Sequence, residues 1–307
     1  MARARSFRAL PRPAVDAPRI VFMGTPDFAV PSLDALVAAG LAPVAVVTVP
    51  DKPAGRGQRV RASAVKEAAE RHGLPVLQPA SLHDEAFQAE LRAIEADVQA
   101  VVAFRILPPA VYEAARLGAF NLHGSLLPAY RGAAPIQRAL MDGVEETGVT
   151  TFFLQQAVDT GNVILRRRLA VGPDDTAGDL HDRLAEIGAE AVVETVRQIA
   201  AGTAAAEPQD DALASPAPKI FREDGEVDWT RAARDVHNQI RALDPVPGAW
   251  TTWGGETLKV FQSRIATAEG AGAPGEVAAA DGRIVVTCGE GAVSLGAVQR
   301  QGKRRMD

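Results

Sequence analysis

The sequence predicts an α/β protein: a parallel sheet covered by helices, then a smaller unit built from β-strands. Three observations carry that expectation. Short β-rich runs alternate with helical segments up to about residue 202, the pattern of a parallel sheet with helices on both faces. Residues 203–218, TAAAEPQDDALASPAP, then lose all periodicity and read as a linker. Beyond it, short β-like runs separated by Gly and Pro recur at the spacing of a small barrel or sandwich.

The apolar run 19–23 reads as a buried strand that stops at the turn Gly24-Thr25-Pro26. Residues 28–39 read as helix, with Gly40 placed to end it. A second strand fits 44–49, a loop 50–61, a helix 63–72 and another buried strand 98–103. A long helix fits 177–201: Leu180, Leu184, Ile187, Ala191 and Ile199 fall near one face, and Asp174, Asp175 and Asp179 favour its positive N-terminus. After the linker come one helix, 230–243, ending before Pro245, and five β-like runs at 249–253, 257–263, 275–279, 283–287 and 292–298. The expected division is an N-terminal tail over 1–18, a first domain over 19–202, the linker, and a C-terminal domain over 219–307.

Composition bounds the function. Hydrophobic residues make up 47% and charged residues 23% of the 307-residue chain, as in an ordinary globular protein. The single cysteine, Cys288, excludes an internal disulfide and a Cys-rich zinc site, so a reducing, cytoplasmic setting is expected. No run approaches the roughly 18 apolar residues of a membrane helix. The net charge of −5 is uneven: residues 1–19 carry +4, 20–218 carry −9, and 219–307 balance. Nucleic-acid contacts must then come from local clusters, not from the general field. The Arg-rich, acid-poor start has the composition of a transit peptide. Pro11, Pro13 and Pro18 interrupt any amphipathic helix there, so a disordered tail is expected instead.

The candidate chemistry lies in Asn121-Leu122-His123-Gly124-Ser125. In a strand, residues two apart face the same way, so Asn121 and His123 sit side by side. Asn offers an amide donor, and His a proton donor or acceptor near neutral pH. Gly124 and Ser125 break the strand, which places the pair at a strand end, where an α/β sheet holds its ligands. Downstream, Asp159-Thr160-Gly161 lies between two β-like runs, 148–155 and 163–171, on a connecting loop. A carboxylate beside His123 fixes its tautomer. Alone, an Asn-x-His pair on a strand is more often a structural hydrogen-bonding pair, and Asp-Thr-Gly is usually a turn.

The stretch Asn121-Leu-His-Gly-Ser-Leu-Leu-Pro128, followed by Tyr130-Arg131-Gly132-Ala133-Ala134-Pro135-Ile136-Gln137, resembles the signature of the folate-dependent formyltransferases. The resemblance extends over Gly24-Thr25-Pro26-Asp27-Phe28-Ala29, the loop Asp51–Gly57, Glu146–Thr150 and Asp159-Thr160-Gly161, and so over nearly the whole chain. It implies a Rossmann-like catalytic domain and a C-terminal barrel resembling an OB fold. It implies Asn121, His123 and Asp159 as catalytic residues, and Ser125, Leu126, Leu127 and Pro128 as contacts to the donor, 10-formyltetrahydrofolate, with no metal. The branch it matches most closely formylates methionyl-initiator tRNA. A tRNA-binding loop is then expected at Lys52, Arg56, Arg59 and Arg61, in a monomeric enzyme with no membrane association.

The implied reaction is direct attack of an α-amine on the formyl carbon. A free α-amino group has a pKa of roughly 7.7–8.0, so an appreciable neutral fraction exists without a strong base. Asn121 is the expected oxyanion donor; His123 either donates a second hydrogen bond or moves the amine proton, and Asp159 either orients His123 or relays the proton through water. Arg166-Arg167-Arg168 read either as an addition to the basic footprint or as a charged sheet edge. The resemblance departs at Ala103-Phe104-Arg105-Ile106-Leu107-Pro108, one residue shorter than in many members, and at Asp307, where members usually continue into a final helix. A sugar-nucleotide N-formyltransferase would use the same triad without the basic loop. An NAD-dependent oxidoreductase is disfavoured because Gly24-Thr25-Pro26-Asp27 lacks the Gly-x-Gly-x-x-Gly phosphate turn.

Overall fold

The computed structural model of the chain describes residues 15–54, 59–266, 272–280 and 283–306. The chain opens with β1 (Ile20–Gly24), α1 (Val30–Ala38) and β2 (Ala45–Val47). There follow β3 (Lys52–Ala54), β4 (Arg59–Arg61), α2 (Ala64–Arg71), β5 (Val76–Leu77) and α3 (Glu85–Ala93). Then come β6 (Val98–Val102), α4 (Pro109–Tyr112), β7 (Gly118–His123), β8 (Arg131–Gly132) and α5 (Pro135–Met141). The middle of the chain continues with β9 (Glu146–Phe153), β10 (Val163–Ala170), α6 (Ala177–Ala200) and β11 (Pro216–Ala217). The C-terminal part holds α7 (Ala233–Leu243), β12 (Ala249–Trp253), β13 (Glu256–Ile265), β14 (Val277–Ala280), β15 (Arg283–Thr287) and β16 (Ala292–Arg300).

These elements form two compact units. One runs to His123 and resumes over Thr150–Leu165 and Gly188–Gln209; the other takes Gly124–Val149, Arg166–Ile187 and the chain from Asp210.

The first unit is organised by a seven-stranded sheet of order β10-β9-β7-β6-β1-β2-β5, to which β9 and β10 contribute only in part from this unit. Strands β5, β2, β1, β6 and β7 are mutually parallel, and β9 runs antiparallel to β7. Strand β1 is buried throughout, which is why Ile-Val-Phe-Met reads as a continuous apolar run and not as an alternation. On one face, Val21, Met23, Val47 and Val101 pack against Phe87 and Leu91 of α3 and Val111 of α4. Each such side chain stabilises the fold by about 1.5–3 kcal/mol. Local signals set the helix starts: Ser63 Oγ accepts from Lys66 N at 3.1 Å to cap α2, and Asp84 Oδ1 accepts from Ala86 N at 2.8 Å to cap α3.

In the second unit, five antiparallel strands form a sheet of order β12-β13-β16-β15-β14. Val236, Ile240 and Leu243 of α7 lie on one helical face and pack on Val260, Val286, Val293 and Leu295. Cys288 belongs to this core, where burial pushes its thiol pKa up and keeps it an unreactive packing residue.

Two segments carry more structure than their sequences suggest. Residues 50–61, expected as a loop, contain the β3–β4 hairpin, with Lys52 opposite Arg61. Three-residue strands are too short to show a period, and the glycines between them read as loop. The aperiodic 203–218 segment is tied down by a Glu207–Val163 bridge, a 3-10 turn at Asp211–Leu213, and β11, which pairs in parallel with β8. Main-chain hydrogen bonds need no side-chain period, so this order left no trace in the sequence. Most of the expected N-terminal tail lies outside the described residues; where they begin, Val15 N donates to Ala200 O at 2.8 Å.

Candidate active site

Strand β7 lies inside the sheet, paired with β6 on one side and β9 on the other. Asn121 stands opposite Val101 and Phe152, and His123 opposite Thr150. Phe120 and Leu122 take the other face and are buried, so Asn121 and His123 share one face as the strand period requires. His123 is the last residue of the strand and only 6% exposed. Asn121 is half-buried.

Asp159 lies on the loop between β9 and β10, with its carboxylate Oδ2 3.8 Å from His123 Nδ1. Both side chains are largely shielded from water. That separation is longer than a hydrogen bond.

The loop that presents Asp159 is closely built. Asp159 takes a left-handed backbone, φ 55°, uncommon for a residue with a Cβ and tolerated best by Asn and Asp. Phe153 N donates to Asn162 O at 3.0 Å and closes the loop base. Thr160 Oγ1 accepts from Gln155 Nε2 at 2.7 Å and donates to Ala157 O at 3.0 Å. A Cβ on Gly161 would lie 1.6 Å from Phe153 O, so the position admits only glycine. Gln209 Nε2 donates to Asp159 O at 2.9 Å and to Gly161 O at 2.8 Å. Sequence reasoning passed over Gln209 because it sits in the aperiodic segment and carries no spacing signal.

The Ser125–Pro128 stretch forms a turn within the second unit. Ser125 is fully buried, and its Oγ donates to Ala129 O at 2.6 Å. Leu127 is also buried, and its carbonyl accepts from Arg166 Nε at 3.0 Å. Leu126 and Pro128 are half-buried. Ser125 and Leu127 therefore shape the turn, and its partly open side chains are Leu126 and Pro128. The arginine run on β10 divides its work: Arg166 holds this turn, while Arg168 is exposed and pairs with Glu146. The short segment after β6 is held from elsewhere in the first unit, by Arg105 donating to Pro79 O at 3.0 Å and Ala80 O at 3.2 Å.

Of the expected basic loop, Lys52 and Arg61 are exposed and face each other across the hairpin base. Like charges directly opposite are unfavourable in a free sheet and favourable once an anion lies between or over them. Arg56 lies outside the described residues, and for Arg59 only the backbone strand is described. Beside the hairpin, Asp51 pairs with Lys66 at 2.6 Å and accepts from Gln78 at 2.7 Å; the Lys66 bond holds its carboxyl below the ordinary range.

Among the described residues, no three His, Cys, Asp or Glu side chains group as a metal site, and no helix is long and apolar enough to cross a membrane. An amide side chain and a histidine at a strand terminus, with a carboxylate 3.8 Å from the histidine, are the kinds of group an acyl-type transfer uses. The Formyl transferase profile matches residues 18–196, and the Formyl transferase, C-terminal domain profile matches residues 219–307; the chain belongs to the formyl transferase family. Among its relatives, the methionyl-tRNA formyltransferase of Chlorobium phaeovibrioides is 51% identical over 295 residues, covering 94% of this chain and 92% of the relative. That of Stutzerimonas stutzeri is 49% identical over 286 residues, covering 92% and 90%. Among solved structures, an N-formyltransferase from Helicobacter canadensis shares the fold at a TM-score of 0.69 and 19% identity, over 92% of this chain and 99% of that one.

Proposed function

We propose that the chain transfers the formyl group of 10-formyltetrahydrofolate to the α-amine of methionyl-initiator tRNA. The observation that carries the reading is the placement of Asp159 3.8 Å from His123 at the end of the strand that also bears Asn121. The relatives named methionyl-tRNA formyltransferase, about half identical over nearly their whole length, support the choice of amine.

In this reading the neutral amine attacks the formyl carbon. A C–N bond forms, the carbonyl oxygen gains negative charge, and the Asn121 amide donates to it. His123 takes the amine proton, with Asp159 stabilising the imidazolium. The bond from the formyl carbon to N10 then breaks, and that proton passes to N10 of the departing tetrahydrofolate. The folate lies against the Ser125–Pro128 turn, chiefly on Leu126 and Pro128. Lys52, Arg56, Arg59 and Arg61 contact the tRNA backbone, and the C-terminal sheet serves as an OB-like platform. The working domain division is 19–202 and 219–307, joined through 203–218. A monomer acting in the cytoplasm is part of the same proposal.

The test supplies 10-formyltetrahydrofolate with either methionyl-initiator tRNA or an amino-sugar nucleotide, over a range of salt. Formylmethionyl-tRNA should form, with kcat/KM for tRNA falling steeply as salt rises, because bound cations release counterions. Formylation of the sugar nucleotide alone, or a rate indifferent to salt, refutes the tRNA reading.

A further inference from the structure

The 203–218 segment does more than join one part of the chain to the next. Its residue 209 does something more specific. One amide nitrogen, Gln209 Nε2, donates to the carbonyls on either side of Thr160, at Asp159 and Gly161. Its neighbourhood is fixed two residues earlier, where Glu207 and Val163 exchange main-chain hydrogen bonds of 2.7 and 2.8 Å. That places Gln209 beside the start of β10 and under the Asp159 turn. The turn is the left-handed one, φ 55° at Asp159, a conformation that persists only where the surroundings over-determine it.

We infer that Gln209 is a positioning residue for the formyl-transfer step: its amide fixes the turn at Asp159 and thereby the approach of that carboxylate to His123. The inference rests on the reading of Asp159 as the carboxylate of the site. Gln209 donates to the main-chain carbonyls of Asp159 and Gly161, on the turn that carries the carboxylate, so its effect on the reaction should run through Asp159. Both carbonyls require a donor. Replacing the amide by a carboxylate of the same shape sets oxygens against them.

The experiment is a double-mutant cycle in the full-length chain, using Gln209→Ala, Gln209→Glu and Asp159→Ala. Folding is checked by circular dichroism and melting, and kcat and KM are measured separately for both substrates. Misplacement of a reacting group by about 1 Å costs up to about a hundredfold in rate. Gln209→Ala and Gln209→Glu should therefore lower kcat at least about tenfold in a folded protein, with each KM within about twofold. In the Asp159→Ala background, Gln209→Ala should lower kcat no further, because the group through which it acts is gone. Gln209→Asn, which keeps the donor on a shorter side chain, should recover part of the loss.

Losses that multiply in the double variant overturn the inference, since Gln209 would then act independently of Asp159. Folded Gln209 variants at wild-type kcat overturn it as well, while Asp159→Ala remains defective. Wild-type activity in Asp159→Ala itself sinks the reading of the site and takes the inference with it, so the two failures are told apart.

Discussion

The contact between Gly161 and the end of β9 allows a magnitude to be worked directly. Gly161→Ala places a Cβ 1.6 Å from Phe153 O, 2.9 Å from the Phe153 carbonyl carbon and 3.1 Å from Phe152 Cδ2. Non-bonded heavy atoms settle near 3.5 Å, so one side of the contact must move by roughly 2 Å. The strand side is pinned: Phe152 is 1% exposed, and Phe153 N is hydrogen-bonded to Asn162 O. The loop therefore yields. Asp159 is two residues away on the same turn, and its carboxylate leaves its position against His123.

A displacement of that size predicts a kcat at least about a hundredfold below wild type, together with a stability loss of about 1–3 kcal/mol from overpacking. Rapid-quench single-turnover formyl transfer at saturating substrate reads the first, and urea denaturation the second. A variant that melts lower but keeps kcat within about threefold of wild type would refute the reasoning. It would show that the loop absorbs a methyl group without moving Asp159.

Three further outcomes are expected. Asn121→Ala should lower kcat by about 10²–10³-fold with the KM values held, the signature of a donor used in the transition state; a raised KM with kcat intact would make Asn121 a binding residue instead. Asp244 is 4% exposed, accepts from Gln262 N at 2.8 Å and faces Arg305 at 3.3 Å. Asp244→Ala should cost about 1–3 kcal/mol in urea denaturation, chiefly by leaving Gln262 N without its buried acceptor, and a loss well below about 1 kcal/mol contradicts the assignment. His237 is held neutral chiefly by burial, which pushes its pKa below 6.5; Arg241 adds to the lowering, while its bonds to Pro173 O and Ser263 and the nearby Asp174 act against it. Its contribution to stability is complete above about pH 6.5 and declines as pH falls below that value, because the unfolded chain then binds the extra proton. The decline ends once the lowered folded pKa is passed, and His237→Gln should flatten stability measured between pH 5 and 8.

What the sequence made legible follows the kind of physics that sets each feature. Helix α2 was legible because Gly73 and Pro75 follow it, while its cap at Ser63 is a finding of the structure. Helix α6 was visible because Leu180 and Leu184 keep a helical period over a long span. The pairing of Asn121 with His123 followed from strand alternation alone. The approach of Asp159 did not, because it depends on a loop closing from β9 back to the end of β7, and no local rule encodes that. Gln209 was invisible for a stronger reason: a side chain that donates to main-chain carbonyls has no partner residue whose identity would betray it. The β3–β4 hairpin and the β8–β11 pair escaped notice because strands of two or three residues have no period to detect.

The two halves of the proposed proton relay are held in different ways, and the difference fits the distance between them. His123 ends a strand hydrogen-bonded to neighbours on both sides, so its backbone has little freedom. Asp159 is restrained through its main chain, by Gln209 at its own carbonyl and by the tight contact at Gly161. To become a hydrogen bond, the 3.8 Å separation must shorten by about 1 Å. Rigid strands do not supply such a movement, whereas rotation of a carboxylate about its own side-chain bonds does. A turn fixed at the backbone keeps the carboxylate within reach through each turnover. It leaves the final approach to the moment when His123 becomes charged, which is when the attraction is strongest.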